Sequence, residues 1–280
     1  MIKISGFYTT GKGNGKGKSR SAPSAETKGY RIIIIISKPF KMNLKKALSV
    51  MLLLGIMIPN VFSQDYEKDV IPTNSGAIEI TFIKHATLMI RYNNTVIHID
   101  PVSMFGTDYS KMPKADIILL THEHPDHLDA KTIEQIRTGN TVILQNGGCY
   151  NSLGFGEVMK NGDHKTVLGI DIDAVPAYNL TAPNHPKGVG NGYVLQLGNK
   201  KVYIAGDTEN IPEMSDLKNI NIAFLPMNKP FTMSPEQVAE AAKRIRPEIL
   251  YPYHYSQTNT DDLLKLLQNE KGIDVRIRKM

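Results

Sequence analysis

The 280-residue chain carries 33 basic and 27 acidic side chains, a formal charge of +6, yet 11 of the basic residues and only one acidic residue lie in residues 1–63. The remaining 217 residues hold 22 basic against 26 acidic side chains, which removes the support a basic chain would lend to a nucleic-acid partner. The single cysteine, Cys149, excludes an intrachain disulfide in any compartment.

Residues 1–41 include the basic, glycine-rich stretch Gly11-Lys12-Gly13-Asn14-Gly15-Lys16-Gly17-Lys18, which cannot bury a core and reads as an upstream extension of the reading frame or a disordered basic leader. From Met42 the text changes. Lys45-Lys46 precede an apolar run at 47–58 and then Pro59-Asn60-Val61-Phe62-Ser63, the layout of a secretory signal peptide over 42–63 with cleavage after Ser63. The twelve-residue run is too short to cross a bilayer as a helix, so a cleaved signal and a secreted or periplasmic location are expected rather than a permanent membrane anchor. Residues 64–75 read as a short linker to one domain over 76–280.

Within that domain, short apolar runs predict strands over 77–82, 87–92 and 96–100, with Asn93-Asn94 suiting a tight hairpin between the last two. The apolar segment 115–120 is a further strand, and 129–138, with Ile133 and Ile136 on one side, a short helix. Strand signals follow at 141–144, 165–168, 171–176, 192–197, 201–205, 222–225 and 248–251. Helices are expected over 234–245, with Ser234 as N-cap, and over 261–269. Two runs of short strands, each ending in helices, predict an α/β fold of two sheets packed face to face with helices outside. Cys149, after Gly147-Gly148, reads as a small packed thiol.

The strand at 115–120 runs directly into Thr121-His122-Glu123-His124-Pro125-Asp126-His127. In extended backbone His122 and His124 point the same way, and Asp126 and His127 then turn back across the same pocket, so two neighbouring cations can be held there. Downstream stand His185, Asp207 in the strand-closing Ala205-Gly206-Asp207-Thr208, and His254 between Tyr253 and Tyr255. Five imidazoles and two carboxylates without a thiolate suit Zn²⁺ best and also admit Mn²⁺ or Fe²⁺, with two cations per chain expected. Two adjacent cations lower the pKa of a shared water and orient the hydroxide, so hydrolysis needs no protein nucleophile. Asp126 is placed to accept a proton from that hydroxide or to orient it.

The order His-x-His-x-Asp-His, a further His, Gly-Asp-Thr and a late His resembles that of the metallo-β-lactamase-fold hydrolases. Ala177-Tyr178-Asn179, His185-Pro186-Lys187-Gly188, Leu225-Pro226-Met227-Asn228, Phe231-Thr232-Met233 and Tyr251-Pro252-Tyr253-His254-Tyr255 are similar to the compact branch that includes ascorbate-phosphate lactonase-like proteins. The resemblance runs from about Gly76 to the C-terminus. It implies an αββα four-layer sandwich of two mixed sheets with outer helices. It also implies His122, His124 and His185 on one metal, Asp126, His127 and His254 on the other, and Asp207 bridging both. One departure stands out: many members carry a histidine after Pro-Ala-aromatic, whereas Pro176-Ala177-Tyr178 is followed here by Asn179. His185 is the substitute, with Asn179 left to orient a ligand or the substrate.

His85 and Asp100, near the ends of early strands, are further candidates; Asp100 either fixes the tautomer of a ligating imidazole or caps the turn before Pro101. His98 faces away from Ile97 and Ile99 and reads as structural, and His164 as an exposed loop residue. Asn228, Lys229 and Met233 are candidates for the substrate mouth, with Lys229 able to pair with a phosphate or carboxylate. The leading expectation is an exported dinuclear hydrolase that cleaves an ester, lactone or phosphoester bond in a small molecule. A β-lactamase-type amide hydrolase stands second, and a non-catalytic metal-binding protein that retains the fold is the alternative Asn179 raises.

Overall fold

The computed structural model describes residues 66–181 and 183–280, so the predicted leader and signal over 1–63 lie outside the described residues. Seven strands form one sheet in sequence order: β1 (Lys68–Thr73), β2 (Gly76–Lys84), β3 (Thr87–Tyr92), β4 (Thr95–Ile99), β5 (Ile117–Leu120), β6 (Val142–Gln145) and β7 (Glu157–Val158). Seven more form the second, again in order: β8 (His164–Val167), β9 (Ile170–Ala177), β10 (Gly190–Leu197), β11 (Lys200–Ile204), β12 (Ile222–Pro226), β13 (Ile249–Tyr253) and β14 (Asp274–Val275). In both sheets the first three pairings are antiparallel and the last three parallel. Parallel neighbours need crossover connections. Helices α1 (Ala130–Ile136), α2 (Gly147–Leu153), α3 (Pro235–Ile245) and α4 (Thr260–Leu267) lie in four of these connections, after β5, β6, β12 and β13.

The central strands are apolar throughout because both of their faces are covered. In β5, Ile117 and Leu119 join the core between the sheets, while Ile118 and Leu120 pack with Ile133, Ile136 and Cys149 of α1 and α2. In β12, Ile222 and Phe224 face the other sheet, while Ala223 and Leu225 meet Val238, Ala242 and Leu263 of α3 and α4. These three cores make the molecule four layers, α/β/β/α. Each α1, α2 and α3 start is capped by the residue before it: Asp129 accepts from the Lys131 and Thr132 amides, Asn146 from Cys149, and Ser234 forms a reciprocal capping box with Gln237.

The segment read as a linker over 64–75 is corrected by β1, which pairs along its whole length with β2, Lys68 opposite Thr81 through Thr73 opposite Gly76. It is pinned from the other end of the chain. The Asp69 carboxylate accepts from Arg276 at 3.1 Å and from Nε and Nη2 of Arg278 at 2.8–3.0 Å. Among the described residues no helix is long and apolar enough to cross a membrane.

Candidate metal centre

Both sheets present connections at one end of the sandwich. Sheet one supplies His85 between β2 and β3, Asp100 directly after β4 and the 121–127 loop after β5; sheet two supplies His185 between β9 and β10, Asp207 after β11 and His254 directly after β13. All seven residues expected to bind metal meet there, and His85 joins them. Three groupings of donor atoms arise, each within 4.8 Å: His122, His124 and His185; His122, His127 and Asp207; and His85, Asp126, His127 and His254. His85, Asp100 and His254 hold left-handed backbone, with φ of 58°, 43° and 51°, a conformation unfavourable for residues with a Cβ and tolerated where the surroundings enforce it.

Hydrogen bonds at the back of the site decide which ring nitrogens face inward. Asp100 is fully buried and accepts from the Thr121 amide (2.8 Å), the Thr121 hydroxyl (2.7 Å) and His127 Nδ1–H (2.8 Å). With its only proton given to Asp100, Thr121 Oγ1 accepts from His122 Nδ1–H at 3.0 Å. Asn179 donates its amide to the Phe231 carbonyl at 2.8 Å, so its Oδ1 accepts from His185 Nδ1–H at 2.5 Å. For His122, His127 and His185 alike, Nδ1 is committed outward and Nε2 faces the centre. The Asn179 position thus keeps the donor set intact: it orients His185.

The inward atoms crowd one another. His124 Nδ1 lies 3.0 Å from His122 Nε2 and 3.2 Å from His185 Nε2. Asp207 Oδ1 is 3.3 Å from His127 Nε2, and its Oδ2 is 3.4 Å from His185 Nε2 and 3.3 Å from His254 Nε2. His127 Nε2, Asp207 Oδ1 and both ring nitrogens of His254 are buried without a hydrogen-bond partner. Buried polar atoms left unpaired are costly, and a cation among these donors would satisfy them together.

Burial and neighbouring charges pull these groups in different directions. Burial, joined by the neighbouring His127, holds His122 well below its ordinary value, and burial likewise depresses His185, so both favour the neutral imidazole that ligates metals. Burial opposes charge on His127 too, but the Asp207 and Asp100 carboxylates outweigh it and draw the group well above its usual value. Asp207 would be raised by burial, yet His254 and His127 keep it well below the carboxylate range. Asp126 is likewise held ionised against burial, chiefly by His254 and His85, and its side chain is 32% exposed toward the pocket.

Other expectations resolve by position. His98 is buried on the outer face of β4, beside Tyr109, and donates through Nε2–H to the Pro113 carbonyl; His164 is exposed at the start of β8 against Asp173. Neither reaches the site. Asn228 lines the pocket, but Met233 does not: it is fully buried in the core beneath α3, because the residue before the Ser234 cap faces the sheet. Lys229 points to the buried carboxylate of Glu209 at 2.7 Å rather than being free at the mouth. Phe231, part of the Phe231-Thr232-Met233 segment, and Asn184, which carries no sequence signal of its own, also line the pocket.

A model of the β-lactamase superfamily domain matches residues 79–254, a span containing every residue of the site. A UPF0173 metal-dependent hydrolase of Thermococcus onnurineus is 32% identical over 193 residues, covering 64% of this chain and 85% of that protein. One from Methanopyrus kandleri is 30% identical over 224 residues, covering 71% and 95%. The crystal structure of a protein described as a metal-dependent hydrolase from Parabacteroides distasonis is 50% identical, with a TM-score of 0.75, over 77% of this chain and all of that one. A metallo hydrolase from Ignicoccus hospitalis shares the fold at 23% identity and a TM-score of 0.61, over 72% of this chain and 95% of that one. The chain therefore belongs to the metallo-β-lactamase superfamily, and it is a metal-dependent hydrolase.

Proposed function

We propose that this hydrolase holds two divalent cations, zinc the best match to its donors, and cleaves an ester, lactone or phosphoester bond in a small molecule. The observation that carries the reading is the ring of buried, inward-facing nitrogen and carboxylate atoms without hydrogen-bond partners, backed by residues that fix their tautomers. His122, His124 and His185 would hold one cation, Asp126, His127 and His254 the other, and Asp207, whose carboxylate lies within 3.4 Å of His127, His185 and His254, both. Bound cations would lower the pKa of a water toward neutrality and polarise the oxygen under attack. The chain's own residues supply the rest. Asp126, ionised on the pocket wall, accepts the attacking water's proton, with His85 Nε2 at 3.1 Å and His254 Nε2 at 3.4 Å steadying its Oδ2. Asp100 and Asn179 keep the imidazoles aligned from behind.

Elemental analysis beside hydrolysis assays tests this reading: two metals per chain are expected, and His122→Ala and Asp207→Ala each lose metal and activity while retaining the fold. Activity that survives either substitution overturns it. We also infer export, supported by the signal-like text at 42–63; the mass of protein recovered from an expressing cell is expected to match a chain beginning at Gln64. A mass that retains residues 42–63 contradicts export by that route.

A further inference from the structure

The pocket over the candidate centre encloses about 360 Å³, and beyond the donor residues its wall consists of Pro125, Asn184, Asn228 and Phe231. Among the described residues no lysine or arginine lines it. Lys229, next to Asn228 in sequence, is committed elsewhere: its ammonium sits 2.7 Å from Glu209 Oε1, and the Glu209 side chain is fully buried. The same carboxylate accepts from the Leu180 and Thr181 amides at 2.8 and 3.1 Å. Turning Lys229 toward a substrate would leave a buried carboxylate short of its counter-charge, a costly exchange. Aromatic groups also face outward beside the pocket. Phe231 on the wall is 48% exposed, and Phe105, 36% exposed, lies with its ring centroid 4.6 Å from that of the wall residue His85. Exposed aromatic rings beside a concave polar site mark where an apolar ligand group packs.

Resting on the hydrolase reading above, we propose that the substrate is an uncharged carboxylic ester or lactone whose apolar acyl or ring portion packs on Phe231 and Phe105. The neutral amides of Asn184 and Asn228 supply its polar contacts, and no fixed side-chain cation selects for an anionic group. In the reaction, the oxygen of water bonds to the acyl carbon and the acyl carbon–alkoxy oxygen bond breaks. One proton of the water goes to the departing alkoxide and the other to Asp126 and then to solvent, giving a carboxylate and an alcohol, or a hydroxy acid from a lactone.

The test uses the purified full chain loaded with zinc and three probes: p-nitrophenyl acetate, p-nitrophenyl butyrate and bis-p-nitrophenyl phosphate. Butyrate is expected to exceed acetate in kcat/KM by about tenfold, since added methylenes gain from an apolar wall, and both to exceed the phosphodiester. Phe231→Ala is expected to bring the butyrate-to-acetate ratio close to unity, and Phe231→Leu to restore part of it. Because only the carbonyl of residue 231 holds Asn179, both variants are expected to keep their metal. A wild-type preference for the phosphodiester, or a butyrate-to-acetate ratio that Phe231→Ala leaves unchanged, overturns the substrate assignment while the hydrolase reading stands. Metal-loaded protein that hydrolyses none of the three overturns both.

Discussion

Asn179 follows Pro176-Ala177-Tyr178, where the resemblance implies a ligating histidine, and its geometry shows what it does instead. Its Oδ1 takes the Nδ1–H of His185 at 2.5 Å, and its own amide is anchored on the Phe231 carbonyl. A residue in that position affects metal affinity without touching the metal, and losing such a partner typically costs about 10- to 100-fold. Asn179→Ala is expected to weaken zinc binding by that factor in chelator competition with the metal count unchanged at saturation; undiminished affinity would assign Asn179 a purely structural role. His98 is the opposite case, a buried histidine outside the site. Burial lowers its pKa from 6.5 to about 4, only partly countered by the Pro113 carbonyl. Because the folded-state value lies below the unfolded one, the unfolded chain binds the extra proton first. Stability is therefore complete above about 6.5, falls as pH drops, and levels off below about 4, a loss of about 3 kcal/mol. Urea unfolding of metal-free protein at several pH values is expected to show a shallower acid slope for His98→Gln than for wild type. Parallel slopes would contradict the assignment.

At the scale of elements, legibility followed the source of each element's stability. Strands buried on both faces, such as β5 and β12, announced themselves as apolar runs, and α3 by its Ser234 cap and apolar spacing, because those signals are local. Helix α2 was missed since it opens on Gly147-Gly148, poor helix formers. It is held instead by the Asn146 cap and by the Glu123 carboxylate and Val189 carbonyl that accept from the same Asn146 side chain. Strand β1 reads Lys-Asp-Val-Ile-Pro-Thr, a charged, proline-bearing edge that sequence pattern alone demotes to linker, and Arg276 and Arg278 from the far end of the chain help fix it in place. The site divides the same way. The His122–His127 cluster was legible because its donors are adjacent, and Asp100 as a tautomer-fixing or turn-capping residue, whereas which imidazole Asp100 holds, the full membership of His85 and the burial of Met233 depend on which strand ends meet in space.

The described residues repeat one topology twice, and the repetition explains why the site needs both sheets. Each half contributes a histidine from the connection between its second and third strands, His85 and His185, and an aspartate after its fourth, Asp100 and Asp207, where antiparallel pairing gives way to parallel. The two aspartates have diverged in use: Asp100 is buried behind the imidazoles, and Asp207 faces the donors themselves. With donors drawn from both sheets, a cation bound there would cross-link the sandwich, and only the folded chain assembles the site. A ligand that binds the native state alone adds about 4 kcal/mol when present at about a thousand times its dissociation constant. For a domain of this size each kcal/mol moves Tm by roughly 2–4 °C, so chelation is expected to lower Tm by about 10 °C. Since the donors span both sheets, the fall should appear in one cooperative transition rather than as early melting of a single layer. In His122→Ala the chelator should add little, because the loss has already occurred. A wild-type Tm indifferent to chelation would mean that the site does not couple metal to folding, and the cross-linking argument would fail at the scale where it is made.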